Sequence, residues 1–321
     1  MDKPPICDYE GSDYQESFWE NGDRAYEDAV EAIALRRMLP SSGKHLLELG
    51  AGAGRNTLRY KNFNSITLLD YSRSQLLQAK EKLGDSGKYR YVAASVHRLP
   101  FTAGIFDTAT MIRTLHHLAD APAALGQVRE ALCTGGVLIL EFANKQNLKA
   151  ILRYLLRLQK WSPFTREPVE FVKLNFNFHP AEVRKWLRSA DFDIQRQLTV
   201  SHFRVGFLKR TLPLKWLTSM DALLQHSGNI AQLSPSVFVR ASARGKNTSG
   251  IKKINFLPKG SVKLVLPSSN LTVATLGSSQ SISISKYSRI RPSVSTIWRM
   301  LSVIVGESFD LYPRWSSRRA P

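Results

Sequence analysis

The sequence predicts an α/β fold: a mostly parallel, doubly wound sheet of seven strands, helical cap insertions over one edge, and a small or disordered C-terminal tail. Three observations lead there. From Gly43 to about Ala243, short β-rich runs alternate with helical patterns, as a parallel sheet covered on both faces requires. The 321 residues, 43 % of them hydrophobic, are enough to bury a sizeable core. A glycine-rich loop follows directly on the first apolar run, which places it at the carboxyl end of a strand. No repeat at solenoid or propeller periods competes with this reading.

Taken in order, strands are expected at His45–Leu49, Ile66–Asp70, Arg90–Ser95, Phe106–Ile112, Gly136–Phe142, Phe192–Val200 and Ser236–Ala241. Helices are expected at Arg24–Met38, Asn56–Tyr60, Ser72–Leu83, Ala121–Leu132 and Pro180–Ser189. Pro180 falls in a first helical turn, where its missing N–H leaves nothing unpaired. Gly135-Gly136 punctuates the step into the fifth strand. Residues 146–178 and 202–234 break the alternation; both are rich in aromatic and basic residues and read as a cap over the carboxyl edge. These assignments give a domain over 1–244. Residues 245–321 form a basic tail with 16 serines, either a small appended unit or largely disordered.

The net charge of +19 is unevenly spread. Residues 1–145 hold 17 Lys or Arg against 18 Asp or Glu, residues 146–216 hold 14 against 5, and residues 245–321 hold 12 against 2. The later parts suit an anionic partner, either a phospholipid surface or nucleic acid, or else form a solvated basic face with no partner. No run is long and apolar enough to span a bilayer. The opening MDKPPICDYEGSDYQE lacks the regions of a secretory signal. Cys7 and Cys133 are the only cysteines, too few for a four-cysteine zinc site, and no metal-ligand spacing occurs elsewhere. A cytoplasmic protein is expected, with peripheral membrane contact left open.

The strongest motif is HLLELGAGAGRNT, residues 45–57. The strand ends in Glu48, and Gly50, Gly52 and Gly54 follow at alternate positions. Glycines there allow unusual backbone angles and the close approach of a ligand. The expected helix from Asn56 would add N-terminal N–H donors. A G-x-G-x-x-G dinucleotide loop fits neither frame, because its last position falls on Arg55 or Thr57. One helix and one strand later, ITLLD ends in Asp70. A carboxylate closing the second strand can accept hydrogen bonds from both hydroxyls of a ribose. Its alternative is to cap the helix that begins at Ser72.

ELGAGAGRNT, LLD, HRLPF, FDTATMIRTLHHL and LCTGGVLILEF, in this order and spacing, resemble the class I S-adenosylmethionine-dependent methyltransferases of the quinone- and lipid-modifying type, over roughly residues 10–242. The resemblance implies a Rossmann-like sheet and S-adenosyl-L-methionine as cofactor. By position it implies that Glu48 and the backbone of Gly50, Gly52 and Gly54 hold the methionine end. Asp70 would hold the ribose, with Tyr71 beside the adenine. Ser95 stands where the family usually has Asp toward the adenine amino group, and Val96 would offer a backbone N–H. Arg113 would line the methionine side. YQESFWENGDRAYED resembles the family's lid helix, so Tyr14, Trp19, Arg24 and Tyr26 are candidates for closing over the cofactor. The alternative is an amphipathic helix packed on the sheet.

His117, and less directly His116, are candidate general bases toward a hydroxyl or carbon acid; in relatives such a pair also serves structurally. The segment NLKAILRYLLRLQKW, residues 147–161, spaces Lys149, Arg153, Arg157 and Lys160 around an apolar stripe. Such a helix can lie on an anionic membrane, or can pack its leucines on the sheet. Phe207 to Leu217 repeats the pattern. In the tail, Leu266–Ser269 and Ser278–Ser281 sit like two zinc-ribbon knuckles without cysteines, so no zinc is expected. The expected chemistry is methyl transfer to a small or lipid-like acceptor. The alternatives are a nucleic-acid acceptor and a non-catalytic scaffold docking a partner. Ile112-Arg-Thr-Leu115 is no Asn-Pro-Pro-Tyr tetrad, which argues against adenine N6 as the target.

Overall fold

The structure, a computed structural model, describes residues 10–11, 24–204 and 206–245 and the short segments 261–264, 272–276 and 282–285. Cys7, Tyr14, Trp19 and the two knuckle-like tail segments lie outside the described residues. Contacts divide the chain into units Met1–Asn247 and Thr248–Pro321.

The first unit holds a seven-stranded sheet in the order β3-β2-β1-β4-β5-β9-β8. Its strands are β1 (Gly43–Leu49), β2 (Phe63–Asp70), β3 (Tyr89–Ala93), β4 (Phe106–Met111), β5 (Leu132–Ala143), β8 (Phe192–Val200) and β9 (Ser236–Ala243). β9 runs antiparallel to both its neighbours and the other pairings are parallel. The chain leaves β1 toward β2 on one side and returns to β4 on the other. That reversal opens a crevice at the carboxyl ends of β1 and β4. Alternate residues feed two cores: on β5, Leu138, Leu140 and Phe142 pack on one face, and Val137 and Ile139 on the other. The helices are α1 (Ala25–Met38), α2 (Arg73–Leu83), α3 (Ala121–Ala131) and α5 (Pro180–Ser189).

The cap contains α4 (Leu148–Leu155), a hairpin of β6 (Val169–Val172) and β7 (Asn175–Asn177), α6 (Gly206–Thr211) and α7 (Leu214–Leu224). Of these, the sequence pattern foresees α4 and, at Phe207 to Leu217, α6 and the start of α7. Three short strands, β10 (Ser261–Leu264), β11 (Thr272–Leu276) and β12 (Ile282–Ser285), form an antiparallel sheet in the second unit. Among the described residues no helix is long and apolar enough to cross a membrane.

One element differs in kind. The helix expected at Asn56–Tyr60 is a single 3-10 turn, Thr57–Arg59. Tyr60 is drawn into the core, and β2 begins at Phe63, three residues before the expected Ile66. Too few residues remain to propagate an α-helix, so donors near the glycine loop come from turn backbone rather than a helix end.

Candidate functional site

Three glycines in left-handed backbone carry the chain off β1: Gly50 (φ +66°), Gly52 (φ +52°) and Gly54 (φ +73°). They serve different ends. A Cβ on Gly50 would collide with the Thr114 side chain beyond β4. A Cβ on Gly54 would crowd Ala79 and Leu83 of α2, and Gly54 does not line the cavity described below. At Gly52 the nearest atom would be Gln75 Oε1 at 3.9 Å, so that side of the backbone stands open.

The open side faces a cavity of about 150 Å³. Its walls are Glu48 and Leu49 from β1, the loop Gly50–Ala53, Asp70 at the end of β2 with Tyr71 after it, Ala94–His97 after β3, and Thr110 and Ile112–Thr114 around the end of β4. Arg55, Asn56, Tyr60, Gln75, His117 and Leu118 complete it. Glu48, Gly50, Gly52, Asp70, Tyr71, Ser95, Val96, Arg113 and His117 thus meet in one place. His116 and Arg24 are not among the lining residues.

Asp70 is held by its surroundings. Its Oδ2 accepts the Gly52 N–H at 2.8 Å and its Oδ1 the Ser72 N–H at 2.9 Å. The capping alternative fails, because the Ser72 hydroxyl itself caps α2 by accepting the Gln75 N–H. Burial nonetheless raises the Asp70 pKa above the usual carboxylate range. Glu48 shows the same conflict more strongly. It is buried, accepts the Thr57 hydroxyl at 2.6 Å, and has its pKa pushed up to about 7 by desolvation. Beside it, the buried Tyr60 hydroxyl faces Glu48 and the Thr110 hydroxyl, and neither hydroxyl makes a well-directed hydrogen bond among the described residues. Two poorly satisfied hydroxyls and a half-ionised acid on one cavity wall are costly in isolation. A polar ligand end that supplies donors and acceptors there would satisfy them.

Arg113 stands at the β4 terminus in left-handed backbone (φ +57°), a conformation costly for a residue with a Cβ. Glu141 on β5 holds that backbone by accepting the Arg113 N–H at 2.9 Å, while its other oxygen accepts from Ser236. The Arg113 side chain turns to Glu31 of α1, donating through Nε at 2.6 Å. Glu31 also pairs with Arg55 at 2.9 Å, and Asp28 pairs with both Arg55 and Arg59. The two arginines hold the Glu31 carboxyl below its ordinary range against complete burial. Sequence reading missed Glu31 and Arg55. Their partners lie 24 to 82 positions apart, and no local pattern signals that.

The histidines separate. His117 Nδ1 lies 3.2 Å from the Leu174 carbonyl in the β6–β7 hairpin. A carbonyl can only accept, so Nδ1 carries the proton and the lone pair falls on Nε2. Burial lowers the His117 pKa and keeps the ring neutral near pH 7. The His116 ring lies 4.0 Å from that of His117, tilted at 46°, with its Nδ1 buried and unpartnered among the described residues. The lid expectation changes too. Arg24 pairs with Glu27, and Tyr26 enters the core, where its hydroxyl donates to buried Asp221 at 2.6 Å.

Residues 47–140 match the family model described as a methyltransferase domain. The chain is 32 % identical over 168 residues to the demethylmenaquinone methyltransferase of Protochlamydia amoebophila, covering 46 % of this chain and 68 % of that one. It is 26 % identical over 147 residues to the O-methyltransferase cnsE of Penicillium expansum, covering 42 % and 52 %. It spans about half the length of this and two similar O-methyltransferases. Among solved structures, a S-adenosylmethionine-dependent methyltransferase of Thermotoga maritima superposes with TM-score 0.50 at 18 % identity over 71 % of this chain and 94 % of that one. A counterpart from Listeria monocytogenes gives 0.50 at 16 %, over 68 % and 99 %. These two likenesses concern the fold.

Proposed function

The chain belongs to the class I S-adenosylmethionine-dependent methyltransferases, and from that premise we propose that it methylates a small, lipid-like acceptor of the quinone-precursor kind. The supporting observation is the single cavity that joins Asp70 and Glu48, at the carboxyl ends of adjacent parallel strands, to His117 beneath the cap hairpin. The relatives named as acting on demethylmenaquinone, and the O-methyltransferases, favour a small ring acceptor over a nucleic acid.

When bound, the cofactor supplies a methyl group already activated by the positive charge on its sulfur. The residues therefore need mainly to hold and align the partners, which can contribute roughly 7–11 kcal/mol. Ionised Glu48, with the Tyr60 and Thr110 hydroxyls, would hold the amino-acid end. Asp70 would accept both ribose hydroxyls, and Tyr71 would flank the adenine. Ser95 would accept from the adenine amino group without adding charge, and the Val96 N–H would reach the ring. Arg113, fixed by Glu31 and Glu141, would line the amino-acid end. With a hydroxyl acceptor, His117 Nε2 would accept the hydroxyl proton, and the Leu174 carbonyl would stabilise the resulting imidazolium. His116, off the cavity, has no part in this scheme.

Calorimetric titration with S-adenosylmethionine tests the proposal. Wild type should bind, and Asp70→Ala should bind at least about 100-fold more weakly, the effect of two hydrogen bonds to a charged group. Equal binding by the two proteins refutes the assignment. Labelled methyl transfer to quinone precursors and to RNA then decides the acceptor, and labelling of RNA alone would replace the class proposed here.

A further inference from the structure

Helix α4 is built inside out. At about 100° per residue, Leu148, Leu152 and Leu155 share one face, and Ala150, the one residue the helix buries, stands on the other. The leucine face therefore points to solvent: Leu148, Leu152, Leu155 and Leu156 are all exposed. The alternative in which these leucines pack on the sheet does not hold. The chain near the start of α4 extends the surface. The Leu148 N–H donates to the Leu233 carbonyl at 2.8 Å, and Leu233 and Ile230 are exposed, Ile230 at 92 %. Helix α7 carries the same pattern, with Trp216, Met220 and Leu223 outward and Leu217 inward. A water-facing stripe on two elements of one cap needs an occupant.

The charges beside it identify which. Lys149 and Arg153 follow the leucines around α4, Arg157 and Lys160 continue past its end, and all four are exposed. None has an acidic partner within ion-pair distance among the described residues. Residues 146–178 hold six Lys or Arg against Glu167 and Glu170. Long basic side chains beside an apolar stripe can keep their heads in a phosphate layer while their stems and the leucines enter the acyl boundary. A second copy of the chain would set these same cations against each other, and protein interfaces deplete lysine at their centres. We infer that α4, with Ile230 and Leu233, is a docking surface for an anionic phospholipid bilayer, on which the protein lies without spanning it. The inference stands independently of the acceptor proposed above.

Sedimentation of the full chain with phosphatidylcholine vesicles, with and without phosphatidylglycerol, tests it. The Leu152→Ser/Leu155→Ser double variant keeps every charge, including the 12 Lys and Arg of residues 245–321. Wild type should bind the anionic vesicles, more weakly at high salt, and the double variant should lose at least about tenfold in partitioning. Its affinity for S-adenosylmethionine and its circular dichroism should match wild type, which separates lost docking from lost folding. Three results overturn the inference. Wild type fails to bind anionic vesicles at low salt. The double variant binds as wild type does, so that bulk charge suffices. Or size-exclusion chromatography shows an oligomer that the double variant dissolves, which makes the face a contact between copies.

Discussion

Around the cavity, Glu31, Glu48, Asp70 and Glu141 are buried, and each carboxylate is met by a named donor. In the cap, Lys149, Arg153, Arg157 and Lys160 stand exposed beside equally exposed leucines. One part of the fold takes charge out of water, and the other leaves apolar surface in it. Burial of charge is unfavourable unless partners are prearranged, so the first region is tuned to hold a ligand. Exposure of leucine forfeits burial energy, so the second region reserves that energy for something outside the chain. Substitutions in the two regions should therefore differ sharply in their cost.

The largest effect is expected at Glu31. Glu31→Ala would leave Arg55 and Arg113 without their shared partner in a site where Glu31 itself is fully buried. Unfolding in urea should show a loss of about 3–5 kcal/mol, against no more than about 0.5 kcal/mol for Lys149→Ala or Arg153→Ala. A loss below about 1 kcal/mol at Glu31 would mean that the cavity charges are as weakly coupled as those of the cap. Next comes Leu217→Ala on the inner face of α7, where the side chain is 1 % exposed. It should lower stability by about 2–4 kcal/mol through a cavity in the core.

A smaller effect, with a sign that depends on pH, is expected at Glu48. Its folded pKa of about 7 lies above the ordinary 4.5. The folded state therefore keeps a proton that the unfolded state has released, and wild-type stability falls as pH rises from 4.5 to 7, then levels. Glu48→Gln removes that slope. The ligand-free variant should match wild type below pH 4.5 and exceed it above pH 7 by about 1–3 kcal/mol in urea unfolding. Binding should move the other way. Wild-type affinity for S-adenosylmethionine should rise with pH up to about 7, as Glu48 ionises, while the variant binds weakly throughout. A variant that gained stability and kept its affinity would show that Glu48 does not serve the ligand.

Much of the sheet was legible because buried parallel strands read as continuous apolar runs. Phe192–Val200 and Pro180–Ser189 coincide with their expected bounds, and the other six strands lie within a few residues of theirs. The Asn56–Tyr60 helix failed because five residues with a core tyrosine at the end cannot both turn and return to β2. The cap was legible in its helical stretches at 147–161 and Phe207 to Leu217 and otherwise only as an interruption: the β6–β7 hairpin has too few residues for a period to declare itself. At the site, the glycine loop and Asp70 stood out through local spacing. Glu31, Tyr60 and Thr110 did not, since their meaning lies in contacts across the sheet. Periodicity also finds the stripe on α4 without saying which way it faces.

That last ambiguity gives the smallest prediction. Leu223 sits on the same helix as Leu217 and is 79 % exposed. In water its side chain already pays for exposure in the folded state, so truncation removes little that folding had gained. Leu223→Ala should therefore shift stability by no more than about 0.5 kcal/mol, and alanine's better helix propensity offsets part of that. The same should hold for Leu155→Ala on α4. If either variant instead loses 2 kcal/mol or more, as about expected of a core leucine, the residue is covered in the free protein. The apolar face would then belong to the fold rather than to an outside surface. Near-zero change in both, alongside a large change at Leu217, would show that α7 presents one face to the sheet and keeps the other for a partner.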